Sequence, residues 1–199
     1  MKKTIIILVL FAMFIQMNLS AQVNKEPAKT QLKAALLVID IQNAYLPMMP
    51  EREKEVAMYY IENLISLFRS HNCPVIRIYQ LDKASGAEPG NELFEYPATV
   101  PVKTDDPKII KTYGDGFNKT DLDKVLKEKG CNTVFLCGLS AVGCVLSTWI
   151  GAQNHDYNAY MIKNAIMSPN SEYTKQVEDM FDAVTYDIIK LLLETSDNK

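Results

Sequence analysis

The chain has 199 residues, 48% of them hydrophobic, enough to bury the core of one compact domain. Its formal charge of −3 and pI near 5.5 leave no basic footprint, which excludes nucleic acid as a partner.

The first residues stand apart from the rest. Met1-Lys2-Lys3 is a basic start, Thr4 to Met17 is strongly apolar, and Asn18-Leu19-Ser20-Ala21 supplies small residues before Gln22. A membrane-spanning helix needs roughly 20 apolar residues, and this run is shorter. Residues 1–21 are therefore read as a signal peptide cleaved after Ala21, with an uncleaved anchor as the alternative. The mature protein would be secreted or periplasmic and free of the membrane. Residues 22–33 form a polar lead-in, and residues 34–199 the folded domain. Export bears on the four cysteines, because exported proteins meet oxidising compartments. Cys131 and Cys137 share one predicted strand, roughly 20 Å apart when extended, too far to bond. Cys73 and Cys131 both precede strands, so a bridge between them is open but not indicated, and four scattered cysteines in a domain of this size do not look like a disulfide framework.

Along the domain, Ala34 to Asp40 is an unbroken apolar run ending in an acid, the pattern of a central parallel strand. After Pro47 and Pro50, residues 51–70 show helical periodicity through Val56, Tyr60, Leu64, Ile65 and Phe68. Cys73 to Gln80 is a second strand. A long turn-rich stretch from Leu81 to Pro107 follows, of a length that in a compact domain usually has a functional job, such as covering a pocket. Lys108 to Thr112 is a third strand. Thr120 caps a helix over 121–129, which Gly130 ends. Thr133 to Cys137 is a fourth strand, and Gly138 to Trp149 passes through small residues into a helix from about Cys144 to His155. Strands at 158–164 and 183–186 and helices at 171–181 and 187–194 complete the chain. This alternation predicts a three-layer α/β/α fold with a mostly parallel sheet of five to six strands.

In such sheets ligands bind beyond the carboxyl ends of the strands. Three reactive side chains fall there, on three strands: Asp40, Lys111 and Cys144. Cys144 sits where a helix begins, and the positive end of a helix dipole is expected to lower a thiol's pKa. A nucleophilic cysteine needs a base. The two histidines, His71 and His155, lie where helices give way to strands, on the opposite sheet edge, which leaves Asp40 as the base. Singly, a strand-end Asp is most often a turn residue, a Lys a solvated charge and a Cys a small core residue. Their joint placement carries the argument.

The segments Ala35 to Asn43, Ile110 to Phe117 with Thr120-Asp121-Leu122, and Gly138 to Val145 resemble, in order and spacing, the isochorismatase-like cysteine hydrolases, relatives of nicotinamidase and N-carbamoylsarcosine amidohydrolase. The resemblance maps the family's catalytic triad onto Asp40, Lys111 and Cys144. It implies that Asp40 takes the proton of Cys144, that the thiolate attacks an amide carbonyl, and that water hydrolyses the resulting thioester. It also implies a cis peptide at Leu139–Ser140, an oxyanion hole from the N–H groups of Ser140 and Cys144, a small-molecule amide substrate and a homo-oligomer. The family's nicotinamidase branch carries a metal near the end of the second strand. Here that region reads Gln80-Leu81-Asp82-Lys83, without histidine, so neither a metal nor another cofactor is expected. Tyr45, Gln80, Tyr113, Phe117 and Trp149 are the candidate pocket residues, with core packing the commoner role for Trp149. Ala141-Val142-Gly143 and Ala44 depart from residues common in the family, so the substrate is not inherited from any one branch. The competing reading is a non-catalytic binding module whose Cys144 is unused or oxidised.

Overall fold

The computed structural model describes residues 31–197. The predicted leader, and the lead-in up to residue 30, lie outside them. Five strands, β1 (Ala34–Ile39), β2 (Val75–Gln80), β3 (Lys108–Lys111), β4 (Thr133–Leu139) and β5 (Asn158–Met167), pair in parallel in the order β3-β2-β1-β4-β5. β1 and β4 are buried at every position, as continuous apolar runs demand in a sheet covered on both faces. β3, at an edge, alternates exposed and buried.

Helices cover both faces. On one, α1 (Glu51–Ser70) lays Ala57, Ile61, Leu64, Ile65 and Phe68 against Leu36, Val38 and Phe135, a stripe produced by apolar residues three and four apart. Beside it α5 (Tyr186–Asp197) contributes Ile189 and Leu193. On the other, α2 (Leu122–Glu128), α3 (Leu146–Asn154) and α4 (Ser171–Met180) bury Leu122, Leu126, Ala152 and Val177 against Leu37, Ile39, Val134 and Leu136. The result is the three-layer α/β/α architecture with a five-stranded sheet.

The predicted strand at 183–186 reduces to one bridge between Ile162 and Val184. The segment between α4 and α5 has room for only the pair of hydrogen bonds Val184 N–H to Met161 O and Lys163 N–H to Val184 O. β4 runs two residues beyond the predicted Cys137, and β5 continues past Asn164 to Met167 because Asn164, at φ 63°, absorbs a register shift against β4. Thr120 does not occupy the cap position, which is Asp121. Its hydroxyl still accepts from the Leu122 N–H at 3.2 Å. The long stretch 81–107 is tied down: Asn43 and Ala44 donate backbone N–H groups to Glu95 and Leu93 carbonyls at 2.9 and 3.0 Å, and Phe94 and Tyr96 enter the core.

Candidate active site

β1 delivers Asp40 to the carboxyl edge and then leaves the sheet. Asp40 has φ 52°, a left-handed conformation that a short polar residue tolerates better than most. Beside it, β4 approaches so closely at Gly138 (φ 113°) that a Cβ there would overlap the Ile39 carbonyl oxygen. Only glycine fits, and its fit sets Asp40 and the chain leading to Cys144 side by side. The Leu139–Ser140 peptide bond is cis. Residues Ala141–Val145 then form a π turn kinked at Gly143, and the α-helix proper begins at Leu146. Cys144 thus precedes the helix.

Lys111 ends β3 and points inward. Its Nζ donates to Asp40 Oδ2 at 2.7 Å and to Gln80 Oε1 at 2.6 Å, and both charged side chains are buried. Asp40 Oδ1 is buried too, and among the described residues no group donates to it in normal hydrogen-bond geometry. Burial pushes the Asp40 carboxyl above its ordinary range, while the Lys111 ammonium and the neighbouring Cys144 thiol pull it down. The Cys144 thiol is pushed up to about 11, by burial first and by the Asp40 charge second, with Lys111 opposing. This corrects the expectation of a lowered thiol pKa. Cys144 lies in a kinked turn against a carboxylate, so the helix dipole is outweighed by desolvation and a like charge.

The pocket residues divide. The Tyr45 hydroxyl accepts from Ser85 Oγ at 3.3 Å and feels the charges of Asp40 and Cys144. Tyr113, two residues beyond Lys111, is 44% exposed and its hydroxyl accepts from Lys119 Nζ at 3.1 Å. Phe117 is instead a core residue, stacked on His155 with ring centroids 4.8 Å apart. Trp149 is also turned to packing: its indole N–H donates to Ala159 O at 3.0 Å and its ring packs on Phe181. His155, whose Nδ1 contacts the Gly151 carbonyl oxygen at 2.8 Å, caps the far end of α3.

Three supporting residues carry no functional signal on their own. Gln42, fully buried, binds both backbone groups of Gln80. The Tyr96 hydroxyl lies 2.8 and 2.6 Å from the Val38 and Ile78 carbonyl oxygens, bracing β1 and β2 just before Asp40. Glu53, from α1, accepts the Ser168 N–H at 3.0 Å, and Ser168 Oγ lies 3.2 Å from Ser140 Oγ. Of these, only Gln42 sits in a segment whose sequence points anywhere, two residues past Asp40.

A family model described as the isochorismatase domain matches residues 34–189. The chain belongs to the isochorismatase-like cysteine-hydrolase superfamily. Among members of this superfamily, it is 30% identical over 153 residues, 74% of this chain and 83% of the relative, to the uncharacterized isochorismatase family protein YddQ of Bacillus subtilis. A shorter match, 25% identical over 83 residues, spans 42% of this chain and 39% of the maleamate amidohydrolase of Pseudomonas putida. The isochorismatase-like fold is shared with the crystal structure of N-carbamoylsarcosine amidase from Thermoplasma acidophilum at TM-score 0.67 and 23% identity, covering 77% of this chain and 95% of that one.

Proposed function

We propose that the protein is an exported amidohydrolase that cleaves a small amide through a Cys144 thioester. The observation that carries this reading is the buried Lys111–Asp40 pair, with one carboxylate oxygen that no group among the described residues meets in normal hydrogen-bond geometry, next to a Cys144 thiol that feels both charges. That oxygen is the natural acceptor for the Sγ proton. Desolvation tunes Asp40 upward toward the range in which a carboxylate both takes and returns a proton. Asp40 accepts the thiol proton as Sγ bonds to the carbonyl carbon, and the N–H groups of Ser140 and Cys144 receive the oxyanion. Asp40 then passes the proton to the leaving nitrogen, the C–N bond breaks, and ammonia or an amine departs. In the second half, Asp40 takes a proton from water as it attacks the thioester, and returns it to Cys144 as the acid leaves. Lys111 orients the carboxylate and offsets negative charge throughout. Likeness to relatives that bear the names maleamate amidohydrolase and N-carbamoylsarcosine amidase supports an amide as the substrate class. The apolar, basic-start leader supports export.

The test is ammonia release by the reduced mature protein from a panel of small primary amides, including nicotinamide, carbamoyl and maleamate-type compounds. Turnover of at least one compound, lost in Cys144→Ala, is the expected result. Silence across the panel, with Cys144 inert to alkylation, would favour the binding-module reading instead.

A further inference from the structure

A buried ammonium needs acceptors for its N–H groups, because none can come from solvent. Lys111 finds a charged one in Asp40 and a neutral one in Gln80 Oε1, at 2.7 and 2.6 Å. The orientation of the Gln80 amide is settled at its other end, where Nε2 donates to the Leu81 carbonyl at 3.2 Å. Turned over, the amide would set its NH₂ against an ammonium and its oxygen against a carbonyl, two repulsive contacts for two attractive ones.

The backbone of Gln80 is held as firmly. β1 pairs with β2 only as far as Ile39 opposite Ile78, because the chain turns away at Asp40. Gln42 then continues the ladder with its side chain: Oε1 accepts the Gln80 N–H at 2.8 Å and Nε2 donates to the Gln80 carbonyl at 3.0 Å. A fully buried amide thereby substitutes for the strand that has left.

We propose that Gln80 is a positioning residue, not a substrate ligand: its neutral carboxamide, clamped by Gln42, fixes the Lys111 ammonium against Asp40. The proposal rests on reading Asp40, Lys111 and Cys144 as the triad. Neutrality is the point. Asp40 is faced by Lys111 and Cys144, the Tyr45 and Tyr96 hydroxyls feel its charge, and Asp82 acts on Tyr45. A carboxylate at position 80 would compete for the Lys111 ammonium and add negative charge, so Asp40 and Cys144 would both hold their protons more tightly.

The experiment measures Cys144 alkylation by iodoacetamide against pH, site by site by peptide mass spectrometry, in the unsubstituted protein, Gln80→Glu, Gln80→Leu and Asp40→Asn. Acylation by p-nitrophenyl acetate is followed alongside. Gln80→Glu, which keeps the shape, is expected to slow alkylation about tenfold at a fixed pH below the limb, the effect of a one-unit rise in thiol pKa. Gln80→Leu is expected to lower kcat for the ester by about tenfold or more with KM unchanged, the mark of lost positioning. Profiles that overlay the unsubstituted protein, or a raised KM with kcat intact, would overturn the proposal and leave Gln80 as scaffold or substrate ligand. If Asp40→Asn also overlays, the triad reading falls with it, so the two failures are distinguishable.

Discussion

Replacing Asp40 with Asn is expected to abolish amide hydrolysis, by about 10³-fold or more, while making the Cys144 thiol more acidic. The two effects run in opposite directions because, in the proposed mechanism, Asp40 acts in two ways. As a base and acid it moves the proton from sulfur to the leaving nitrogen, and an amide nitrogen does not leave without one. As a charge it is one of the two chief causes that push the thiol up to about 11. Asn removes that charge, and Lys111 remains to favour the thiolate. Iodoacetamide alkylation of Cys144 should therefore shift to lower pH in the variant whose turnover is gone. A cysteine whose alkylation profile is indifferent to Asp40 would show that the carboxylate does not face the thiol in solution.

Replacing Lys111 with Met should destabilise the fold by about 3–5 kcal/mol at neutral pH, the usual cost of leaving a buried charge without its partner. Met fills much of the same volume, so the loss is electrostatic. The pH dependence follows from the sign of the shift. Burial already raises the Asp40 carboxyl above its ordinary value, and removal of the opposing cation raises it further. The folded state then binds the proton more tightly than the unfolded chain, so relative stability is present below the unfolded carboxylate pKa and lost as pH rises through the folded one. The deficit of Lys111→Met against the unsubstituted protein, followed by urea denaturation, should shrink as pH falls toward 4, roughly the unperturbed carboxylate value. A deficit that stays constant with pH would mean that packing, not charge, dominates at this position.

The residues at the sheet edge are legible in the sequence because parallel strands advertise where they end. An apolar run that closes on Asp40, another on Lys111 and a third on Gly138 and small residues together mark one edge. Phase and environment are not legible in the same way. Trp149 follows Cys144 by five positions, which on a regular helix is about 140° around the axis, and the π turn at Ala141–Val145 breaks even that regularity. The side chain accordingly packs on Phe181 and donates to the Ala159 carbonyl. The thiol's acidity escapes the sequence for a related reason. A helix start is visible there, but the kink before it and the carboxylate beside it depend on β1 and β4 lying in contact. Gln42 shows the opposite case: its segment is recognisable, yet a side chain that continues a β-ladder leaves no periodic trace.

The most direct measurement is intact-protein mass spectrometry of Asp40→Asn after exposure to p-nitrophenyl acetate. The phenolate leaves without help from an acid, so Cys144 can be acylated even when Asp40 cannot deliver a proton. Hydrolysis of the thioester, which needs Asp40 to activate water, cannot follow. One acetyl group per chain should accumulate on Cys144 and persist, whereas the unsubstituted protein should turn over and Cys144→Ala should remain unlabelled. Acetylation elsewhere, or a Cys144 thioester that clears as fast in Asp40→Asn as in the unsubstituted protein, would contradict the assignment of nucleophile and base.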